Sequence, residues 1–243
     1  MSIKKPLVEI VLPIYNEEKE LKANTVRLVH FLQNQPLPFS WNITIVDNAS
    51  TDKSGVIGRN LEKQYNTISY IYLKEKGRGR AVKYAWKKKI ATFYAYMDID
   101  LSTNLDHFPQ LVKTLIGGYD ISIGSRLLAG SKVQNRPFKR EILSRCYNLI
   151  IKIFFQTHFS DAQCGFKGVN KKVVDYLLPH IKDNEWFFDS ELLIIAEKAG
   201  YKIFEVPVNW VDNPGSTVRV LKTVTGDLAG LWRIFTTAPW RHL

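Results

Sequence analysis

The chain has 243 residues, 45% of them hydrophobic and 23% charged, a composition that excludes a disordered chain and suits a protein that buries a core. Its 34 Lys and Arg outnumber 23 Asp and Glu, and the net charge of +11 points to anionic partners: nucleic acid, an anionic membrane surface or phosphorylated substrates. Cys146 and Cys164 form neither a disulfide framework nor a zinc site and read as reduced structural thiols.

The N-terminal stretch MSIKKPLVEIVLPIYNEE has no signal-peptide pattern, because its short apolar run is interrupted by Glu9 and followed by acids. No run approaches the ~18 apolar residues that read as a bilayer span, so the expectation is a chain that does not cross a membrane. Val8–Ile14 reads as a strand, and Glu17–Leu32 as a helix with Leu21, Thr25, Leu28, Val29 and Leu32 on one face. Asn42–Val46 is a second strand; Ser50, Thr51 and Asp52 are candidate caps for a helix running to about Tyr65. Ile68–Leu73 is a third strand, and Arg78–Lys89 a helix with Ala81, Val82, Ala85 and Trp86 inward. Ala91–Met97 is a fourth strand, Leu105–Ile116 a helix ended by Gly117-Gly118, and Tyr119–Ile123 a fifth strand. Strands separated by helices of this length predict an α/β fold with a mostly parallel central sheet flanked by helices.

Beyond Gly124 the character changes. Arg126, Lys132, Arg136, Lys139, Arg140 and Arg145 are opposed only by Glu141. Lys139–Phe155 reads as a basic amphipathic helix, suited either to a membrane interface or to a core with a solvated basic edge. Asn170–Leu178 and Ser190–Ala199 look helical, Tyr201–Val208 looks like a strand, and Thr223–Thr236 reads as a last helix. With no repeat or long linker, residues 1–243 read as one domain.

Ligands of parallel sheets bind beyond the carboxyl ends of the strands. Tyr15-Asn16-Glu17, Asp47-Asn48, Lys76-Gly77 and Asp98-Ile99-Asp100 all follow predicted strands and gather on that rim. Asp98 and Asp100, one residue apart, are expected to point the same way, because alternate strand residues share a face; they either cap a turn or grip one hard divalent ion. Lys76-Gly77-Arg78-Gly79-Arg80 opens a helix, where glycines let a backbone approach a phosphate, but it is neither a Walker loop nor a full dinucleotide fingerprint. No histidine lies in any of these motifs.

The segments VLPIYNEE, IVDNASTD, KGRGRAVKYAW, YMDIDLS, IGSRL, FKREILSRCYN, SDAQCGFKG and WFFDSELL…GYKIFEVPVNW, in this order, resemble a family 2 glycosyltransferase of the GT-A fold. More narrowly, they resemble the dolichyl- and polyprenyl-phosphate mannose and glucose synthases, over roughly residues 7 to 235. The resemblance implies hexose transfer from UDP-glucose or GDP-mannose to a polyprenyl phosphate. It implies donor binding by Pro13, Tyr15, Asn16, Glu17, Asp47, Gly77 and Asp98, and Mg²⁺ or Mn²⁺ on Asp98 and Asp100 of a DXD motif. Asp100 and Arg126 then act at the reacting phosphates, and Arg140 and Arg145 at the lipid phosphate. Residues from about 7 to 125 form the nucleotide-sugar half, and those from about 126 to 243 the acceptor and membrane-facing half. The expected place is the cytoplasm, peripheral on the inner membrane face, with room for a separate membrane-anchoring subunit.

The chain departs from the family in two places. Asp47-Asn48-Ala49-Ser50 stands where the family has Asp-Asp-Gly-Ser. Asn213-Pro214-Gly215-Ser216-Thr217 stands where the mannose synthases carry an arginine and then Gly-x-Ser-Lys, with Arg219 as a substitute. Asp189 and Glu191 fall where wider family 2 enzymes keep an acceptor-side acid, although Asp189 also suits a helix cap. The alternatives are transfer to a sugar or protein hydroxyl, and a non-catalytic nucleotide-sugar-binding protein. A hydroxyl acceptor needs a general base, whereas a phosphate monoester arrives already anionic. Nucleic-acid binding would explain the charge but not acids at strand ends.

Overall fold

The computed structural model describes residues 5–212 and 220–243. Its centre is β1 (Leu7–Ile14), which sends Val8, Ile10, Leu12 and Ile14 into one apolar core and Val11 into a second core on the opposite face. A strand buried on both faces reads as a continuous apolar run, which is how β1 reads. It pairs in parallel with β2 (Ser40–Asn48) and β4 (Phe93–Met97), and β2 pairs in parallel with β3 (Ile68–Leu73). Helices α1 (Leu21–Asn34), α2 (Ser54–Gln64) and α4 (Phe108–Ile116) cover one face of the sheet. Helices α3 (Arg78–Lys88), α5 (Phe138–Phe155) and α6 (Phe188–Lys198) cover the other, and α7 (Val220–Thr237) packs on α5 and α6.

The seven-stranded order is β3-β2-β1-β4-β7-β5-β8. Here the structure corrects the sequence reading. A strand that the hydrophobic pattern does not reveal, β7 (Phe166–Asn170), lies between β4 and β5 (Ile121–Ser125) and runs antiparallel to both. The segment expected to be helical from Asn170 is the end of β7, followed by a π-turn at Val173–Leu177 and a 3₁₀ turn at Leu178–His180. β8 (Ile203–Pro207) extends the sheet in parallel with β5, and β6 (Lys132–Gln134) pairs with β9 (Asn209–Val211) as a separate ribbon. The helix expected from Glu17 begins at Leu21, because the preceding residues bond across to the loop after β2.

The antiparallel β7 has a functional result. Its N-terminal end, with residues 161–165 before it, arrives at the same rim as the C-terminal ends of β1, β2, β3, β4 and β5.

Candidate active site

Loops after β1 and β2 are laced together. The Asn16 and Glu17 amides donate to Ser50 Oγ at 2.9 Å and Ser54 Oγ at 2.8 Å, and the Thr51 amide returns a bond to Asn16 Oδ1 at 2.8 Å. Pro13 is buried in β1 opposite Val46. Asp47 is 1% exposed; its carboxylate accepts from the Ser50 amide at 2.8 Å and the Tyr70 hydroxyl at 2.7 Å. Asp47 thus anchors the loop, and burial together with the bond to Asp47 lifts the Tyr70 phenol far above its ordinary range. Ala49 takes φ +63°, the left-handed conformation for which a glycine would be the relaxed choice. Tyr15, exposed on the rim, is covered by Lys76, whose Nζ lies 4.0 Å from the ring centre and bonds the hydroxyl.

Strand β4 ends at Met97, so Asp98 and Asp100 stand on a turn closed by the Leu101 amide on the Asp98 carbonyl at 3.1 Å. Their proximity comes from this turn, and the shared-face argument of a continuing strand does not apply. Both line a small cleft with Ser102, Thr103, Gly165, Phe166 and Trp210. Asp100 accepts from the Ser102 amide at 3.0 Å; burial and the Asp98 charge raise its pKa. Glu17 is pushed up to about 7 by burial and by the charges of Glu20, Asp100, Asp52 and Asp98. Negative charge on this rim is therefore in surplus. Among the described residues no group of three His, Cys, Asp or Glu side chains could hold a metal on protein ligands alone.

The segment Lys76–Arg80 differs from its sequence reading. The amides of Gly79 and Arg80, at the start of α3, donate to the carbonyls of Glu185 at 3.2 Å and Asn184 at 2.9 Å. That helix end is thus occupied by protein, and Gly77, at φ +145°, approaches the Asn184 carbonyl instead of presenting an open anion cradle. Arg78 turns inward, with Nε and Nη2 on Asp98 Oδ1 at 3.1 and 2.8 Å and Nη1 on Asp189. Asp189, 1% exposed, also pairs with buried Lys167 at 2.9 Å and accepts from Tyr96, so its pKa is lowered despite burial. It is not the cap of α6: Asp183 accepts from the Phe188 amide at 3.0 Å. Glu191, fully buried, is held by Arg233 at 2.8 Å.

Arg126 follows β5 and meets a partner that sequence reasoning left without a role. Its Nε and Nη2 donate to Asp161 at 2.7 and 2.9 Å, its amide donates to the same carboxylate at 3.1 Å, and its guanidinium lies 4.9 Å from the Trp210 ring centre. Arg140 pairs with Asp212 at 2.9 Å, and Arg145 with Glu141 at 2.6 Å, Glu141 also holding Arg136 at 2.8 Å. The rim therefore gathers Tyr15, Asn16, Glu17, Asp47, Asp98, Asp100 and Arg126, while Arg140 and Arg145 stand on α5. The departure at Asn213–Thr217 and Arg219 lies outside the described residues.

Helix α5 turns Ser144, Asn148, Ile151 and Phe155 inward and leaves Phe138, Ile142, Leu143, Leu149, Ile153 and Phe154 exposed. α7 adds exposed Leu228, Trp232 and Phe235 beside them. The two helices share one apolar surface, with Phe154 edge-on to Phe235 at 5.8 Å and Trp232 stacked on Phe235 at 6.4 Å. Among the described residues no helix is long and apolar enough to cross a membrane.

Comparison with known proteins agrees with this geometry. The sequence model of the family described as Glycosyl transferase family 2 matches residues 9–178. Glycosyltransferase AglD of Haloferax volcanii is 31% identical over 90% of this chain and 35% of its own length. A dolichyl-phosphate beta-glucosyltransferase of Trichomonas vaginalis is 30% identical over 86% of this chain and 65% of its own length. The chain thus spans between about a third and two-thirds of these relatives. Among solved structures, glucosyl-3-phosphoglycerate synthase from Mycobacterium tuberculosis, in complex with Mn²⁺, UDP-glucose and phosphoglyceric acid, superposes with a TM-score of 0.70 at 12% identity, over 95% of this chain and 80% of that one.

Proposed function

Because the chain belongs to glycosyl transferase family 2 and has the GT-A fold, we propose that it is a glycosyltransferase moving a hexose from UDP-glucose or GDP-mannose to a polyprenyl phosphate. The observation that carries the choice of acceptor is the state of Asp189. Buried and shared by Arg78 and Lys167, it is a poor proton acceptor, so the acid at the acceptor-side position is not free to deprotonate a hydroxyl. A phosphate acceptor needs no such base, since it is anionic at neutral pH.

The rim fits a divalent cation: Asp100 and Glu17 hold carboxylates whose proton affinity is raised by burial and by their acidic neighbours, and the two-acid DXD turn leaves the remaining ligands to a diphosphate. Asp98 and Asp100 would hold Mg²⁺ or Mn²⁺, which supplies charge neutralisation at the departing diphosphate. Tyr15, Asn16 and Glu17 present the donor side, on a loop that Asp47 and Pro13 hold in place. Arg126, kept charged by Asp161, faces the negative charge that grows on the leaving group. Arg140 and Arg145 receive the lipid phosphate. In this division, residues up to about 125 take the donor and the remainder the acceptor.

The lipid acceptor stays in its bilayer, so the protein must meet the surface. The exposed apolar face of α5 and α7, bordered by Lys139, Arg145 and Lys152, suits insertion at the headgroup boundary of an anionic leaflet on the cytoplasmic side. The test is incubation with labelled UDP-glucose or GDP-mannose, Mn²⁺ and polyprenyl phosphate. Label passing into the lipid extract is the expected result; transfer only to a sugar or protein hydroxyl would overturn the proposed acceptor.

A further inference from the structure

Arg78 is tightly enclosed beside the rim. Its side chain is 9% exposed and packs against the rings of Tyr96 and Trp186, with the guanidinium 4.9 and 5.1 Å from their centres. Two of its nitrogens reach Asp98 Oδ1, which leaves Oδ2 against Gly165 in the cleft, and the third nitrogen reaches Asp189. Gly77 and Gly79 let the start of α3 close on the Asn184–Phe188 segment, and Gly165 leaves room for the Arg78–Asp98 pair. A Cβ on Gly77 would stand 2.4 Å from the Asn184 carbonyl, and one on Gly79 2.5 Å from Phe188 Cβ. A Cβ on Gly165 would meet Asp98 Oδ2 at 1.8 Å and Arg78 Nη2 at 2.6 Å.

We infer that Arg78 is a positioning residue, which ties the Asp98 carboxylate on the turn after β4 to Asp189 of α6 and so fixes the direction in which Asp98 offers its second oxygen. The inference rests on the metal-assisted donor site proposed above. The chain Lys167–Asp189–Arg78–Asp98 holds two cations and two anions, so it orients Asp98 without adding net charge, and the surplus negative charge stays with Asp100 and Glu17. Mere neutralisation of Asp98 could be done by any cation. Holding two carboxylates at once with three fixed donors requires the planar fork of arginine, which lysine lacks.

Arg78→Lys therefore separates position from charge. The probe is UDP or GDP, whichever the wild-type protein binds, titrated calorimetrically with Mn²⁺ and again with EDTA. The expected result is a tenfold or greater loss in affinity for the Mn²⁺-nucleotide complex, affinity for the metal-free nucleotide within about twofold of wild type, and a cooperative melt. Trp186→Leu, a change at a half-exposed ring, keeps every charge but opens the clamp and is expected to weaken Mn²⁺-nucleotide binding several-fold. Wild-type affinity in Arg78→Lys overturns the inference, as does an equal loss with and without metal. If Arg78→Lys fails to fold, unchanged Mn²⁺-nucleotide affinity in Trp186→Leu overturns it. A wild-type protein that binds the nucleotides no better with Mn²⁺ than with EDTA overturns the metal-assisted donor site itself, and the inference with it.

Discussion

Asp161 accepts three hydrogen bonds from one residue, Arg126: two from the guanidinium and one from the backbone amide. The carboxylate is fully buried, and the guanidinium beside it holds its pKa at about 2 against an ordinary 3.8. A depressed carboxylate contributes stability that is complete above its unfolded pKa and is lost as pH falls through the folded one. Asp161→Asn is expected to cost about 3–5 kcal/mol at pH 7, because it leaves Arg126 buried and unpaired. The difference from wild type should shrink between pH 4 and 2, as denaturant melts across that range would show.

Asp100→Asn should nearly abolish transfer and leave the fold intact. The carboxamide keeps the shape and can still accept from the Ser102 amide, but loses the charge that holds a hard cation. Full activity in the mutant, or activity in EDTA equal to that in Mn²⁺, would refute the metal role.

Arg145 is the cleanest test of acceptor binding. It is 61% exposed and, among the described residues, its only ion pair is with Glu141 one helical turn away, which is worth only ~0.3–0.5 kcal/mol on a helix surface. Arg145→Ala should therefore fold normally and slow transfer about tenfold, in line with a charge-assisted phosphate contact worth ~1.5–3 kcal/mol. The KM for polyprenyl phosphate should rise more than that for the nucleotide sugar; equal rises would refute the assignment.

Membrane contact and core packing separate at adjacent residues. Phe154 is exposed, whereas Phe155 is 3% exposed and packs on Phe235 and Trp240. Phe155→Ser should destabilise by roughly 3–5 kcal/mol, as large core truncations do. Phe154→Ser combined with Trp232→Ser should leave the melting temperature almost unchanged and reduce co-sedimentation with anionic liposomes. Undiminished sedimentation of the double mutant would show that the α5–α7 face is not the seat.

Asp227 carries a pH signature of opposite sign to that of Asp161. It is 3% exposed, bonded by Gln163 at 2.8 Å, and burial pushes its pKa up to about 7 from 3.8. The folded state holds this proton more tightly than the unfolded chain, so stability declines as pH rises from about 4 to 7. Asp227→Asn should raise Tm at pH 8 and change it little at pH 3.5. No difference between the two pH values would refute the shift.

The parallel half of the sheet is legible in the sequence because β1 to β4 are apolar runs separated by helices with clear inward faces, and their polar ends fall on one rim by topology alone. β7 is not legible. Phe166-Lys167-Gly168-Val169-Asn170 has neither apolar continuity nor alternation, and Lys167 is tolerated at full burial because Asp189 meets it from α6 and the Ala162 and Cys164 carbonyls accept from its ammonium. The same distance hides the role of Asp189, whose partner Arg78 lies 111 residues earlier. Asp161 and Trp210 stood in recognisable segments, yet nothing local distinguishes the clamp of Arg126 from a turn residue. The glycines around Arg78 were visible, but what they make room for is tertiary.

Strand β7 also sets an order of events during synthesis. It alone joins β4 to β5, so β4 emerges from the ribosome with one edge unpaired and waits for residues 166–170. An apolar strand edge left open in this interval is a template for wrong pairing between chains. A truncation just before Phe166 would retain the β1–β4 sheet and Asp98, but would be expected to aggregate.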